Sequence, residues 1–145
     1  MAAAAVRTDY DGEEIPIQPA VELVVCKYGS GEAVVQVEVP KWVIQLFRVF
    51  CDVIEACPEE ASFYIPRIND ANQVPIDFNH EELNLFFKLA AMNPLIIQDL
   101  KDSAITQDLL KRFLLLANFL DYEIYLDTLC QYTALLIKEG SFTLN

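Results

Sequence analysis

The chain contains a single histidine, and no two of its four cysteines stand in a Cys-x-x-Cys pair. That removes the common zinc-ligand spacings, so no metal is expected. A Cys–His or Ser–His nucleophile would depend on His80 alone, which falls beside Glu81 and Glu82 at the start of a helical pattern. Basic residues are also few: 10 Lys and Arg stand against 22 Asp and Glu, a net charge of −12. They form no cluster, which argues against nucleic acid as a partner. No run of 18 apolar residues occurs either. Gln45, Arg48 and Asp52 interrupt the stretch 42–57, and Asp121, Glu123 and Asp127 interrupt the last apolar segment, so no membrane span is expected. The opening residues, Met1 to Glu14, lack the basic-then-apolar layout of a secretory signal. A cytoplasmic or nuclear protein is expected, with Cys26, Cys51, Cys57 and Cys130 as small reduced core residues.

Catalytic patterns are missing as well. Gly29-Ser30-Gly31-Glu32 resembles a fragment of a phosphate loop but lies between two strand patterns and carries no lysine. The acidic pairs Glu13-Glu14, Glu59-Glu60 and Glu81-Glu82 fall in a tail, a linker and a helix start. Neither enzymatic activity nor a cofactor is expected.

What the chain has is apolar surface. Hydrophobic residues make up 54% of the 145. A domain of this size buries only about 68–70% of the surface its unfolded form exposes. The surplus points to a protein contact.

Residues 1–20 read as a flexible tail. Residues 21–140 read as one α+β domain, and 141–145 as a short C-terminal tail. Val21, Leu23 and Val25, then Val35, Val37 and Val39, alternate along two strands around Gly29-Ser30-Gly31, which predicts a β-hairpin. From Lys41 to about Ala56 the polar residues Lys41, Gln45, Arg48, Asp52 and Glu55 recur at helical spacing. They predict one helix with a narrow polar stripe, covered on its other sides and ended by Pro58. Residues 58–73 read as a linker and 74–76 as a short strand. Asn79 and Glu82 form a capping-box pattern opening a helix that Asn93-Pro94 closes. Thr106 caps a helix to Phe119, and a last helix runs from about Glu123 to Lys138.

This order of elements matches a BTB/POZ-like fold of the Skp type, an N-terminal hairpin and short strand packed with a helical cluster. "VPIDFNHEELNLFFKLAAM" resembles the Skp-family segment in which a strand leads into a helix. Ala117-Asn118-Phe119-Leu120-Asp121, followed by Leu126, Asp127, Cys130, Ala134, Ile137 and Lys138, resembles that family's most recognisable block. Elongin C shares its first part. The resemblance implies a non-enzymatic adaptor of cullin–RING ubiquitin ligases, joining a cullin-like scaffold to an F-box-like receptor. It places Asn118, Phe119, Leu126, Leu129 and Cys130 at the partner-binding face. It also implies an alternative, homodimerisation or a dedicated partner held through Trp42, Leu46, Phe47 and Phe50, because BTB dimers commonly form through their first helix. The chain departs from the family in "WVIQLFRVF", where a Thr-Ile-x-x-Met-Leu-like motif is usual. It also ends about five residues past Gly140, short of the helices with which Skp adaptors clasp an F-box.

Overall fold

A computed structural model describes residues 22–29, 34–92 and 94–140. The expected tails, Val21, Ser30 and Gly31 of the turn, and Asn93 lie outside these residues. The described part is α+β: a three-stranded mixed sheet and six helices.

Strands β1 (Leu23–Tyr28) and β2 (Val35–Pro40) pair antiparallel, with Val24 opposite Val39 and Cys26 opposite Val37. The phase expected for β1 is off by one residue. Val24, Cys26 and Tyr28 are buried, whereas Leu23 is exposed. Both alternating sets are largely apolar, but Leu23 and Val25 share their side with charged Lys27, and that set faces out. Tyr28 fixes the choice. Its buried hydroxyl donates to the Ile76 carbonyl at 2.7 Å and accepts from the Ile68 N–H at 3.1 Å.

The expected single helix over 41–56 is two helices, α1 (Lys41–Ile44) and α2 (Arg48–Ala56). Phe47 between them is extended, with φ −96° and ψ 121°. The break inserts its ring among Phe86, Phe87, Tyr122 and Tyr125, at centroid distances of 5.3–6.4 Å. Arg48, restarting the helix, donates its N–H to the Asp121 carbonyl at 3.1 Å.

The supposed linker contains the third strand. In β3 (Ser62–Ile65), Phe63 and Ile65 point into the core, and the strand runs parallel to β1 in the sheet order β2-β1-β3. The strand expected at 74–76 is instead one arm of a tight loop, joined by a single bridge between Asn69 and Pro75. Asp70 builds its turn: Oδ1 accepts the N–H groups of Asn72 and Val74 at 2.8 and 3.0 Å, while Gln73 takes φ +65°.

The helical part follows the sequence signals closely. In α3 (His80–Ala90) the Asn79–Glu82 capping box is formed, with bonds of 2.8 and 3.0 Å. The connector after it holds a short helix, α4 (Ile97–Asp102). Thr106 caps α5 (Gln107–Leu120), accepting the Leu109 N–H at 3.1 Å. Asp121 then turns the chain at φ +62°, a conformation Asp tolerates, into α6 (Glu123–Lys138). Tyr125, fully enclosed, donates to the Phe86 carbonyl at 2.8 Å and ties α6 to α3.

Candidate functional site

The motif Ala117-Asn118-Phe119-Leu120-Asp121 divides into two kinds of residue. Ala117 and Leu120 are buried, and Asp121 makes the corner. Asn118 and Phe119 lie on the solvent side of α5, with Phe119 42% exposed. On α6 the division is sharper. The core takes Tyr125, Thr128, Leu129 and Tyr132. Leu126 is half-buried, and Asp127, Cys130, Ala134, Ile137 and Lys138 are exposed. Leu126, Cys130, Thr133 and Ile137 follow one another at helical spacing, so at about 3.6 residues per turn they form one line along α6. This second stripe lies beside the core stripe and is mostly apolar.

Next to it opens a cavity of about 580 Å³ between α5, α6 and the 70–77 loop. Leu114, Leu115 and Pro75 give it an apolar lining, with Thr133, Asp70 and Asp77 among its polar residues. One cation holds the loop side in place. Arg112 donates to both carboxylate oxygens of Glu82 at 2.8 and 2.9 Å, to Asp108 at 2.9 Å and to the Asp77 carbonyl at 2.8 Å. Its guanidinium also lies 5.4 Å from the centre of the Phe78 ring. Hydrogen bonding from Arg112 holds the Glu82 carboxyl below the ordinary glutamate range, which outweighs the opposing effect of its partial burial. Arg67 pairs with the Asp77 carboxylate and Tyr28 holds the loop from beneath, so this wall is pinned at several points.

Several residues expected at a partner face are placed elsewhere. Leu129 is fully buried beneath the exposed line of α6. Phe47 and Phe50 are core side chains, because the break at Phe47 turns both inward, and Phe50 stacks edge-on against Phe63 at 5.4 Å. Of that set only Trp42, 44% exposed, and half-buried Leu46 reach the surface. The cysteines also differ from expectation. Cys26 alone is buried, and burial pushes its thiol up to about 12. Cys51 is half-buried, with Sγ 3.4 Å from the Gln45 carbonyl, and Cys57 and Cys130 are exposed. Nothing local in the sequence marks Leu114, Leu115 or the 70–77 loop as lining this cavity. The half-buried pair on α5 had no distinguishing mark within a run of four leucine-or-phenylalanine positions. The loop is masked because Val74-Pro75-Ile76 has the composition of a short strand while forming only a single bridge, Asn69 to Pro75.

Among the described residues no group of three or more His, Cys, Asp and Glu side chains is placed to hold a metal ion. No helix among them is long and apolar enough to cross a membrane. Comparison of the chain with protein-family models, curated proteins and solved structures gives no match. What the arrangement offers chemically is desolvation: an apolar line and cavity, rimmed by charge, against which another protein surface can pack.

Proposed function

We propose that this protein is a non-enzymatic adaptor with a BTB/Skp-like fold, acting in the cytoplasm or nucleus. It bridges a cullin-like scaffold and a receptor protein. One observation carries the reading. Of the residues of α6 that produced the Skp-family resemblance, Asp127, Cys130, Ala134, Ile137 and Lys138 are exposed, and only Leu126 is half-buried against the core. A pattern that only specified packing would have fallen on Tyr125, Leu129 and Tyr132 instead. Asn118 and Phe119 support it in the same way, since both are presented to solvent beside buried neighbours. The order hairpin, helices, strand, helices is also the order of a BTB fold.

The test is affinity purification of the tagged protein from its native cells, with mass spectrometry of its stoichiometric partners. A cullin is expected, and Asn118→Ala combined with Phe119→Ala should abolish its capture while circular dichroism stays unchanged. A cullin retained at full stoichiometry by the double variant would remove Asn118 and Phe119 from the interface. The absence of any cullin from wild-type captures would reject the ubiquitin-ligase role. Homodimerisation is then the alternative, resting on the exposure of Trp42.

A further inference from the structure

The cavity between α5, α6 and the 70–77 loop lies close to the point where α6 stops. Thr133 lines it, and Gly140 follows about two turns further on, a rise of about 10 Å along the helix axis. On the α5 side Leu114 and Leu115 are only half-buried, although both pack against the core. With a volume of about 580 Å³, the cavity leaves room for apolar side chains that the described residues do not supply.

The backbone turns away from the helix axis at Gly140. This residue takes φ +78°, and its N–H donates to the Ile137 carbonyl at 3.0 Å. A left-handed residue in that position ends the helix and redirects the chain across its end. Among the described residues nothing stands within 4 Å of where a Cβ on Gly140 would be, so the glycine serves the backbone conformation and not a close approach.

From there the sequence continues Ser141-Phe142-Thr143-Leu144-Asn145. Polar and apolar residues alternate with the period of an extended chain, which puts Phe142 and Leu144 on one side and their polar neighbours on the other. At about 3.4 Å per residue, Phe142 can stand ~7 Å and Leu144 ~14 Å from Gly140. The level of Thr133 falls between the two. No side chain in the segment is charged, so entering the cavity desolvates no ion. Other occupants fit less well. Residues 1–21 carry Asp9, Asp11, Glu13 and Glu14 ahead of their apolar Ile15 and Ile17, and the cavity already holds Asp70, Asp77 and Asp108. A second copy, with its own net charge of −12, meets similar repulsion.

We propose that residues 141–145 fold back along α6 as an extended strap, with Phe142 and Leu144 entering the α5–α6 cavity against Leu114 and Leu115. The strap covers the cavity and leaves Leu126 and Cys130, further along α6, open. A partner that seats an apolar side chain in the cavity therefore has to displace Phe142 first. The contact lies within one chain and stands independently of the adaptor reading.

The test uses the full-length protein, ¹³C-labelled at its leucine methyl groups and purified without a partner. NOEs are expected from the Phe142 ring to the methyls of Leu114 and Leu115, unchanged on dilution. Phe142→Asp should remove the ring contacts, shift both methyl resonances and raise the fluorescence of a dye that binds apolar surface. Leu144→Asp should shift the same methyls. Thr143→Asp, on the polar side of the segment, should leave the contacts, shifts and dye binding as they are in the wild type. A Phe142 ring that touches only its sequence neighbours would overturn the strap, as would Leu114 and Leu115 methyls unmoved by Phe142→Asp. Contacts seen only between differently labelled copies would overturn it in favour of a neighbouring chain. Contacts to these leucines from Tyr10 or Ile15 and not from Phe142 would overturn it in favour of residues 1–21. Because no partner is present, failure to capture a cullin leaves every one of these outcomes unaltered.

Discussion

Phe47 and Phe119 occupy similar-looking sequence, Leu-Phe-Arg and Asn-Phe-Leu, and the fold uses them in opposite ways. Phe47 is completely buried, with the rings of Phe86, Phe87, Tyr122 and Tyr125 around it. Phe119 is 42% exposed on the outer side of α5. The difference follows from the backbone. One helix breaks to drive its aromatic inward, while the other runs on unbroken and carries its aromatic around to solvent. Apolar residues in this chain thus belong to two populations, one holding the aromatic centre together and one left on the flanks of α2, α5 and α6.

The largest effect that can break this comparison is on stability. Phe47→Ala should cost about 3–5 kcal/mol in denaturant unfolding, from lost burial and the cavity left behind. Phe119→Ala should stay within about 0.5 kcal/mol, as surface truncations do. Equal costs would mean that Phe119 is a core residue and that the outer face of α5 is not a docking surface. Phe47→Glu should unfold the protein rather than yield a soluble monomer, which removes it as a probe of dimerisation.

An intermediate effect concerns the pinned wall of the α5–α6 cavity. Arg112→Gln breaks the paired bonds to Glu82 and the bond to Asp77, and should cost about 1–3 kcal/mol at neutral pH. Its pH dependence has a definite sign. Glu82 is held below its unfolded value of about 4.3, so its contribution is complete above that value and is lost as pH falls through the folded one. Unfolding free energies of wild type and variant should therefore run parallel above about pH 5 and converge below about pH 4. A difference constant down to pH 3 would show that Arg112 acts through its packing on Phe78 and not through Glu82.

The same two populations explain what could be read from the sequence. Helices α3, α5 and α6 were legible because each is opened or closed by a residue whose role is local: Asn79 with Glu82, Thr106, Gly140. The hairpin was legible for the same reason, although the buried side of β1 was not. With Leu23 and Val25 on one side and Val24 and Cys26 on the other, only Lys27 and the bonds of Tyr28 distinguish them. The break at Phe47 and the strand Ser62–Ile65 depend on distant partners, namely the Phe86–Tyr125 rings and β1, and no local residue announces either. At the candidate site the exposed motif residues Asn118, Phe119 and Cys130 could be picked by resemblance. Resemblance could not separate Leu129 from Leu126, because adjacent stripes of one helix differ only in what packs on them.

The smallest effect on stability tests the second stripe of α6 directly. Ile137 is 42% exposed, at the end of the line Leu126, Cys130, Thr133, Ile137. Ile137→Lys should change unfolding free energy by no more than about 1 kcal/mol, because at 42% exposure a lysine there can lay its stem along the helix and keep its ammonium in water. It should nevertheless reduce the fluorescence of a dye that binds apolar surface, because a charge then interrupts the line. Gln131→Lys supplies the comparison: it lies on the polar side of the same helix, exposed, and should leave both quantities unchanged. If Ile137→Lys destabilises the protein by several kcal/mol, the end of α6 belongs to the core and the stripe is packing surface. If stability holds and dye binding falls only at Ile137, the line is free apolar surface of the kind a partner helix buries. At about 25 cal/mol per Å² even a few hundred Å² of such contact supplies several kcal/mol before the costs of association. That is enough to matter in binding while adding nothing to the fold of the free chain.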